Sequence, residues 1–243
     1  MKASFVALCL AVLLPGAALA QTVSSVSGPD IKAGERELEY RLGAAFGETV
    51  DDAAFAHRVH YQQAINERLR WRVRGLWRDP SGAGITLDHV QGELHLQLIE
   101  PTPSGYSSGL RFNARAAVRD GAPDELGVTW LHQWRLDESW RVRAMASVDR
   151  ELGAGASDDW FLEARASVYR SFGDGFALGV ESFNDFGAMG VSFGSFDDQS
   201  HQLGPVVSGE IDAAGLEWSV GVLFGLSDGA DDQDLMLRLE RAL

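Results

Sequence analysis

Cysteine and lysine are nearly missing from this sequence. Cys9 is the only cysteine in 243 residues, and it lies within the segment that we predict below to be removed. The rest of the chain therefore forms no disulfide and has no thiol chemistry. Lys2 and Lys32 are the only lysines, so nearly all of the positive charge comes from arginine. The net charge of -14 disfavours a role in nucleic-acid binding.

Long apolar runs are also missing after residue 20. No later stretch approaches the ~18 consecutive apolar residues that indicate a transmembrane helix. The first twenty residues combine the basic Lys2, an apolar run over 3–14, a Pro-Gly break and a small-residue motif that ends at Ala20. This pattern predicts a secretory signal peptide over residues 1–20. Its apolar run, about a dozen residues, is too short to span a membrane.

Apolar and polar residues alternate from residue 36 onward for about ten positions at a time, and each segment breaks at Gly, Asp, Asn or Pro. A period of two is typical of β-strands. The clearest case is the segment 69–77, in which Arg70, Arg72 and Arg74 alternate with apolar residues or glycine. The predicted strands are 36–46, 55–65, 69–77, 90–98, 108–118, 126–136, 140–148, 160–168, 176–183, 202–211, 216–224 and 235–243. These lengths match the ~9–11 residues with which a tilted strand crosses a bilayer.

Connection lengths give a second indication of the fold. Bacterial membrane barrels alternate short periplasmic turns with longer external loops. The predicted tight turns are 66–68, 137–139, 172–175 and 212–215, and the predicted longer loops are 78–88, 119–125, 149–159 and 184–201. The connection 100–106 breaks this alternation, because it is long for a periplasmic turn. We predict an all-β fold, an antiparallel up-and-down transmembrane β-barrel of about twelve strands over residues 35–243, preceded by a periplasmic segment over 21–34.

Two segments fit the pattern badly. His132 has the same phase as Val128, Trp130 and Trp134, so it faces lipid unless a bulge intervenes or it sits at headgroup depth. In residues 231–243 leucines recur every four positions, which also describes a short amphipathic helix. We favour the strand, because a twelfth strand closes the sheet.

The inward phase of the predicted strands is rich in arginine and glutamate. The predicted lumen-lining residues are Arg41, Arg58, Arg70, Arg72, Arg74, Arg111, Arg115, Arg141, Arg143, Arg165, Glu37, Glu39, Glu93 and Glu163. A dry core does not hold so many charges unpaired, because each buried ion costs several kcal/mol. Two interpretations remain open, an arginine-lined conduit that prefers anionic or aromatic solutes, and a lumen plugged by arginine–glutamate pairs.

Tryptophans cluster near the predicted strand ends, as in the aromatic girdles of membrane barrels. The predicted girdle residues are Trp71, Trp77, Trp130, Trp134, Trp140, Trp160 and Trp218. Most aspartates fall in predicted external loops. The cluster 228–234 could bind Ca²⁺ through oxygen ligands, but its spacing is not that of an EF-hand, and solvation of the loops is the favoured explanation.

No catalytic or metal-binding pattern stands out. His60 and His95 have the inward phase, but neither lies in a recognisable serine, histidine and acid context. The six histidines also lack metal-ligand spacing. We therefore predict no enzyme activity, no cofactor and no metal.

Two patches resemble a known family. They are Ser27-Gly28-Pro29-Asp30 with the segment 32–40, and the segment 201–207 with Gly221-Val222-Leu223-Phe224-Gly225-Leu226-Ser227. These patches resemble outer-membrane transporter barrels of the group associated with the MetA pathway of phenol degradation. The resemblance implies a channel or transporter in the outer membrane of a Gram-negative cell. The expected partners are outer-membrane lipid, lipopolysaccharide, the barrel-assembly machinery and a small-molecule solute.

Overall fold

The structure, a computed structural model, describes residues 23–46, 54–79, 84–102, 105–190 and 193–243. The predicted signal peptide lies outside these residues. The described strands form a closed barrel, in which each strand pairs antiparallel with its neighbours in sequence and the last strand pairs with the first. The strands are β1 (Arg36–Phe46), β2 (Ala54–Ala64), β3 (Leu69–Asp79), β4 (Thr86–Ile99), β5 (Tyr106–Ala117), β6 (Asp124–Arg135), β7 (Trp140–Leu152), β8 (Trp160–Gly173), β9 (Phe176–Ala188), β10 (Ser200–Ile211), β11 (Leu216–Gly225) and β12 (Gln233–Ala242). The predicted twelve-stranded antiparallel barrel is confirmed.

The distribution of polarity is inverted relative to a soluble protein. Glu39 is 2% exposed and Gln202 is 0% exposed, whereas Val73 and Val128 are 46% and 41% exposed. Because side chains alternate between the two faces of a strand, the strands turn most of their polar residues inward and most of their apolar residues outward. In the part of the chain that the structure describes, no helix is both long enough and apolar enough to cross a membrane.

The last segment is a strand and not a helix. β12 pairs with β1 through Leu42 and Leu237 and with β11 through Val220 and Leu237. A recurrence every four residues is also a multiple of two, so the leucines of β12 share one face of a strand. The polar and charged residues between them face the interior.

Connections at one rim are mostly tighter than those at the other. We call the rim with the connections β2–β3, β4–β5, β6–β7, β8–β9 and β10–β11 the short-turn rim, and the opposite one the long-loop rim. The connection between Ile99 and Tyr106 has six residues, as many as the one between Ala117 and Asp124 at the long-loop rim. The alternation in length therefore fails at this connection, as its sequence indicates.

Asp137 fixes the tight turn between β6 and β7. Its Oδ1 accepts hydrogen bonds from Ser139 N at 2.7 Å, Ser139 Oγ at 2.8 Å and Trp140 N at 2.8 Å. The bonds from the Ser139 hydroxyl and from the two backbone amides lower the pKa of the Asp137 carboxyl below its usual range, because they favour the ionised form.

His132 lies on the outer face, and its strand has no bulge at this position. The Tyr106 hydroxyl and His132 Nδ1 are hydrogen-bonded at 2.9 Å. The rings of Trp130 and Trp134 lie 4.7 and 5.6 Å from the His132 ring, measured between centroids. The polar ring of His132, which the sequence predicts to face outward, therefore has aromatic neighbours and one hydrogen-bond partner.

The seven tryptophans all lie on the outer face. By strand position, four are close to the short-turn rim, two are at the long-loop rim and Trp130 lies further toward the middle. The four are Trp71, Trp134, Trp140 and Trp218, and the two are Trp77 and Trp160.

Residues 23–31, here called the strap, lie inside the barrel. Val26 packs in a buried apolar cluster with Leu131, Met145, Phe183 and Leu223, and Val23 packs on the opposite part of the wall against Ala56 and Leu76. The sequence assigns residues 21–34 to a periplasmic segment. That location stays a prediction, and the structure adds that most of the described part of this segment occupies the lumen.

One carboxylate holds the end of the strap. Asp30 accepts hydrogen bonds from Ser107 Oγ at 2.6 Å, Gln133 Nε2 at 2.7 Å and Arg135 Nη2 at 2.7 Å. In addition, Ile31 N donates to Gln97 Oε1 at 2.9 Å. The strap is therefore tied to three neighbouring strands, β4, β5 and β6, close to the short-turn rim.

Candidate functional site

The lumen contains the charged residues that the sequence singles out. Their side chains all lie on the inner face of the wall, where most pair with one another. Eight are buried, namely Arg41, Arg58, Arg70, Arg72, Arg111, Glu37, Glu39 and Glu93. The other six are half-buried, namely Arg74, Arg115, Arg141, Arg143, Arg165 and Glu163.

A first ion-pair cluster surrounds Glu39. Arg41 Nε lies 2.6 Å from Glu39 Oε1 and Arg58 Nη2 lies 3.1 Å from the same oxygen. His60 Nδ1 lies 2.9 Å from Glu39 and His60 Nε2 lies 3.4 Å from Glu37. Glu37, Glu39 and His60 each place one nitrogen or oxygen atom within 4.8 Å of the other two, a spacing compatible with a metal ion. The two guanidinium groups already neutralise Glu39, so the cluster is better described as an ion-pair network.

A second cluster surrounds Glu93, whose side chain is fully buried. It accepts hydrogen bonds from Arg72 Nη1 at 3.2 Å, Gln91 Nε2 at 3.0 Å and His95 Nε2 at 2.8 Å. Arg74 Nη1 lies 3.4 Å from Glu93 Oε1. His60 and His95, the histidines with inward phase, therefore both belong to ion-pair clusters.

Three luminal arginines have no carboxylate partner. Among the described residues, no carboxylate oxygen lies within 4.0 Å of Arg111, Arg141 or Arg143. Arg111 Nη2 donates to Thr129 Oγ1 at 2.9 Å and Arg143 Nε donates to Gln133 Oε1 at 2.7 Å. The Arg141 guanidinium carbon lies 5.6 Å from the Tyr169 ring centroid. No described carboxylate therefore pairs with these three guanidinium groups.

The sequence analysis missed several inward carboxylates. Glu125, Asp149, Asp185 and Asp88 line a cavity of about 450 Å³ at the long-loop rim. We call this cavity the acidic vestibule. Each of these acids lies one to two residues outside a predicted strand, because the real strands extend further than the apolar alternation shows. Carboxylates therefore cluster at the long-loop rim, where Arg78 and Arg115 also line the cavity, and the unpaired arginines lie outside this cavity.

The strap divides the middle of the lumen. A cavity of about 50 Å³ lies on one side, next to Arg141 and Arg143, and a cavity of about 80 Å³ lies on the other side, next to Arg111. Ser24 of the strap borders both. Both cavities are much smaller than the acidic vestibule, and the unpaired arginines line them.

No protein-family model and no curated protein sequence matches the chain. Solved structures do match. An outer membrane channel from Pseudomonas putida F1 has a TM-score of 0.65 at 12% identity, over 91% of this chain and 100% of that chain. The KdgM porin in complex with disordered oligogalacturonate has a TM-score of 0.61 at 9% identity, over 85% of this chain and 99% of that chain. The NanC porin has a TM-score of 0.61 at 10% identity, over 84% of this chain and 97% of that chain. The chain thus has the fold of outer-membrane channels and porins.

Proposed function

We propose that this protein is a passive outer-membrane channel for small anionic or aromatic solutes. The observation that carries the proposal is the set of luminal arginines without carboxylate partners, Arg111, Arg141 and Arg143. Arginine in a narrow pore raises the local concentration of anions. Guanidinium groups also stack on aromatic planes, as Arg165 does on Phe183 with 5.9 Å to the ring centroid, so a flat aromatic solute has partners here.

A membrane location is part of the proposal. The outward face is largely apolar, and six of the seven tryptophans lie near its two borders, as expected for a barrel between two lipid–water interfaces. The proposal includes three further steps. Residues 1–20 direct export of the chain, the barrel-assembly machinery inserts the barrel, and the barrel contacts lipopolysaccharide. The specific likeness to the phenol-degradation group also stays a prediction.

Arginine at the centre of the outer face is expected to destabilise the protein. Val168 is 41% exposed, lies near the middle of the 14-residue strand β8 and pairs with Val142 and Val180. In lipid, the variant Val168→Arg is expected to lose about 2–4 kcal/mol of unfolding free energy, because a charge at the bilayer midplane is poorly solvated. Reversible denaturant unfolding in lipid vesicles, followed by tryptophan fluorescence, measures this loss.

The matched control is Leu136→Arg. Leu136 is 67% exposed in the turn between β6 and β7, where the same substitution is expected to cost ~0–1 kcal/mol. Equal and small losses at both positions would indicate that the outer face contacts water and would refute the membrane location.

Anion preference is expected in planar bilayers. Under a KCl gradient, the reversal potential of the wild-type barrel is expected to show a preference for chloride over potassium. Replacing Arg111, Arg141 and Arg143 together with glutamine is expected to abolish or reverse this preference. Since these arginines pair with no described carboxylate, the substitutions leave no buried acid without its partner.

Arg68→Gln serves as the control for net charge, because Arg68 is exposed and lies in the turn between β2 and β3. This variant is expected to keep the wild-type selectivity. A cation preference of the wild-type protein, or an unchanged anion preference of the triple variant, would contradict the proposal.

A closed barrel with a structural or surface-interaction role is the second candidate. The strap in the lumen and the ion-pair clusters around Glu39 and Glu93 favour it. A refolded barrel that passes no current at any applied voltage would support this role instead of a channel.

A further inference from the structure

The 80 Å³ cavity beside the strap is unusually rich in arginine. Its wall includes five arginines, from β2, β3, β5 and β8, and only three carboxylates. Two of these carboxylates are already engaged, because Glu125 lies 2.8 Å from Arg115 and Glu163 pairs with Arg165. The third, Asp149, accepts a hydrogen bond from Asn113 Nδ2 at 3.3 Å. The cavity wall therefore keeps an excess of positive charge.

Three of these arginines leave donors unused. The Nε atoms of Arg58, Arg74 and Arg111 are shielded from solvent and have no hydrogen-bond acceptor among the described residues. Arg58 and Arg111 are themselves only 4% and 6% exposed. A buried N–H without an acceptor is costly, so most such groups in folded proteins have a partner. The Nε atoms of Arg70, Arg141 and Arg238, elsewhere in the described barrel, also have no acceptor, so the number of arginines in its wall is what distinguishes this cavity.

The protein itself supplies too little negative charge at this point. Arg58 shares Glu39 with Arg41 and His60, and Arg74 shares Glu93 with Arg72. Arg111 has no carboxylate oxygen within 4.0 Å, and its guanidinium group interacts over a longer distance with Glu93 and with the like charges of Arg74, Arg165 and Arg72. Buried guanidinium groups that repel one another are stabilised when an anion lies between them.

We propose that this cavity is a binding site for one small anion, a carboxylate or phosphate group, held by Arg58, Arg74 and Arg111. Its volume is several times the roughly 10–15 Å³ that one water molecule needs, which admits a group of a few non-hydrogen atoms. A planar guanidinium group presents paired N–H donors that match two oxygens of such a group. The site rests on the proposed function, since it makes passage saturable and gives the channel a preferred class of solute.

Isothermal titration of the full barrel, refolded in detergent and at low chloride concentration, tests the site. Inorganic phosphate and acetate are the two titrants, and they distinguish phosphate from carboxylate recognition. At least one is expected to bind saturably with one site per chain. Arg111→Gln is expected to weaken that binding at least about tenfold, because it removes a charged donor that no protein acid uses.

Two further variants separate local recognition from net charge and from misfolding. Arg68→Gln removes an exposed positive charge far from the cavity and is expected to bind as wild type. Arg111→Lys keeps the charge but loses the planar fork, and it is expected to bind more weakly than wild type. Heat-modifiable gel migration indicates a folded barrel. If the Arg111→Gln variant lacks it, Arg111→Lys becomes the deciding variant.

Each outcome decides the proposal. Saturable binding that Arg111→Gln loses and Arg68→Gln keeps supports it. Absence of saturable binding of both anions, or equal affinities in the deciding Arg111 variant and the wild type, would overturn it. Because binding is measured without flux, a barrel that binds the anion but conducts no current refutes the channel and leaves the site standing.

Discussion

Deletion of residues 23–31 is expected to raise the single-channel conductance of the barrel severalfold. The strap separates the two small cavities in the middle of the lumen. Without it, these cavities merge and water fills the space between β2 and β11. Conductance of single refolded barrels in planar bilayers measures the change.

A milder variant weakens the anchor of the strap. Asp30 takes three hydrogen bonds from the wall, one of them from the charged Arg135. Asp30→Ala is expected to produce more frequent openings and more current noise than wild type, while the closed level stays the same. The apolar contacts of Val26 still hold the strap in this variant, so its effect should be smaller than that of the deletion.

Ser27→Ala is the matched control within the strap. It removes a hydroxyl that is hydrogen-bonded to Ser25 Oγ at 3.3 Å and that makes no hydrogen bond to a described residue of the wall. We expect its conductance to equal that of the wild type. If the deletion variant also conducts as the wild type does, the strap does not limit the passage, and its place in the lumen has no bearing on transport.

The alternation of apolar and polar residues was sufficient to predict the strands. Each strand buries one face only, so its period of two is visible in the sequence alone. The ends were less well predicted, as in β9, which continues to Ala188 beyond the predicted end at 183. Strand residues beyond the apolar band need not alternate, because both faces contact water or polar groups there. The carboxylates of the acidic vestibule lie in this zone, and for that reason they were missed.

The strap could not be predicted in the same way. Val23 and Val26 are three residues apart in a short segment rich in serine, which follows neither a helical nor a strand period. Their burial depends on a cavity that other, distant segments enclose. The ion pairs inside the lumen could not be predicted either, because the partner of each charged side chain depends on the register between neighbouring strands. Arg72 lies directly opposite Glu93, for instance, whereas Arg41 lies opposite the like charge of Arg58.

Loss of the Glu93 carboxylate is expected to have the largest effect on stability. Glu93 is fully buried and is shared by Arg72, Arg74 and His95. Glu93→Gln removes the negative charge, keeps the size of the side chain and leaves the guanidinium groups of the buried Arg72 and the half-buried Arg74 uncompensated. Breaking a buried pair in this way costs about 3–5 kcal/mol. Denaturant unfolding in lipid vesicles measures the difference in unfolding free energy from the wild type.

Glu100→Gln makes the same chemical change at the surface. Glu100 pairs with Arg68 at 2.6 Å, but the two side chains are 59% and 63% exposed, so water replaces the lost interaction. The expected cost is below about 1 kcal/mol. A large loss for Glu93→Gln beside a small one for Glu100→Gln would show that the arginines around Glu93 are dry and structurally paired. Two small losses would mean instead that water reaches these guanidinium groups, and the arginines around Glu93 would then join the unpaired ones as charges that a passing solute can meet.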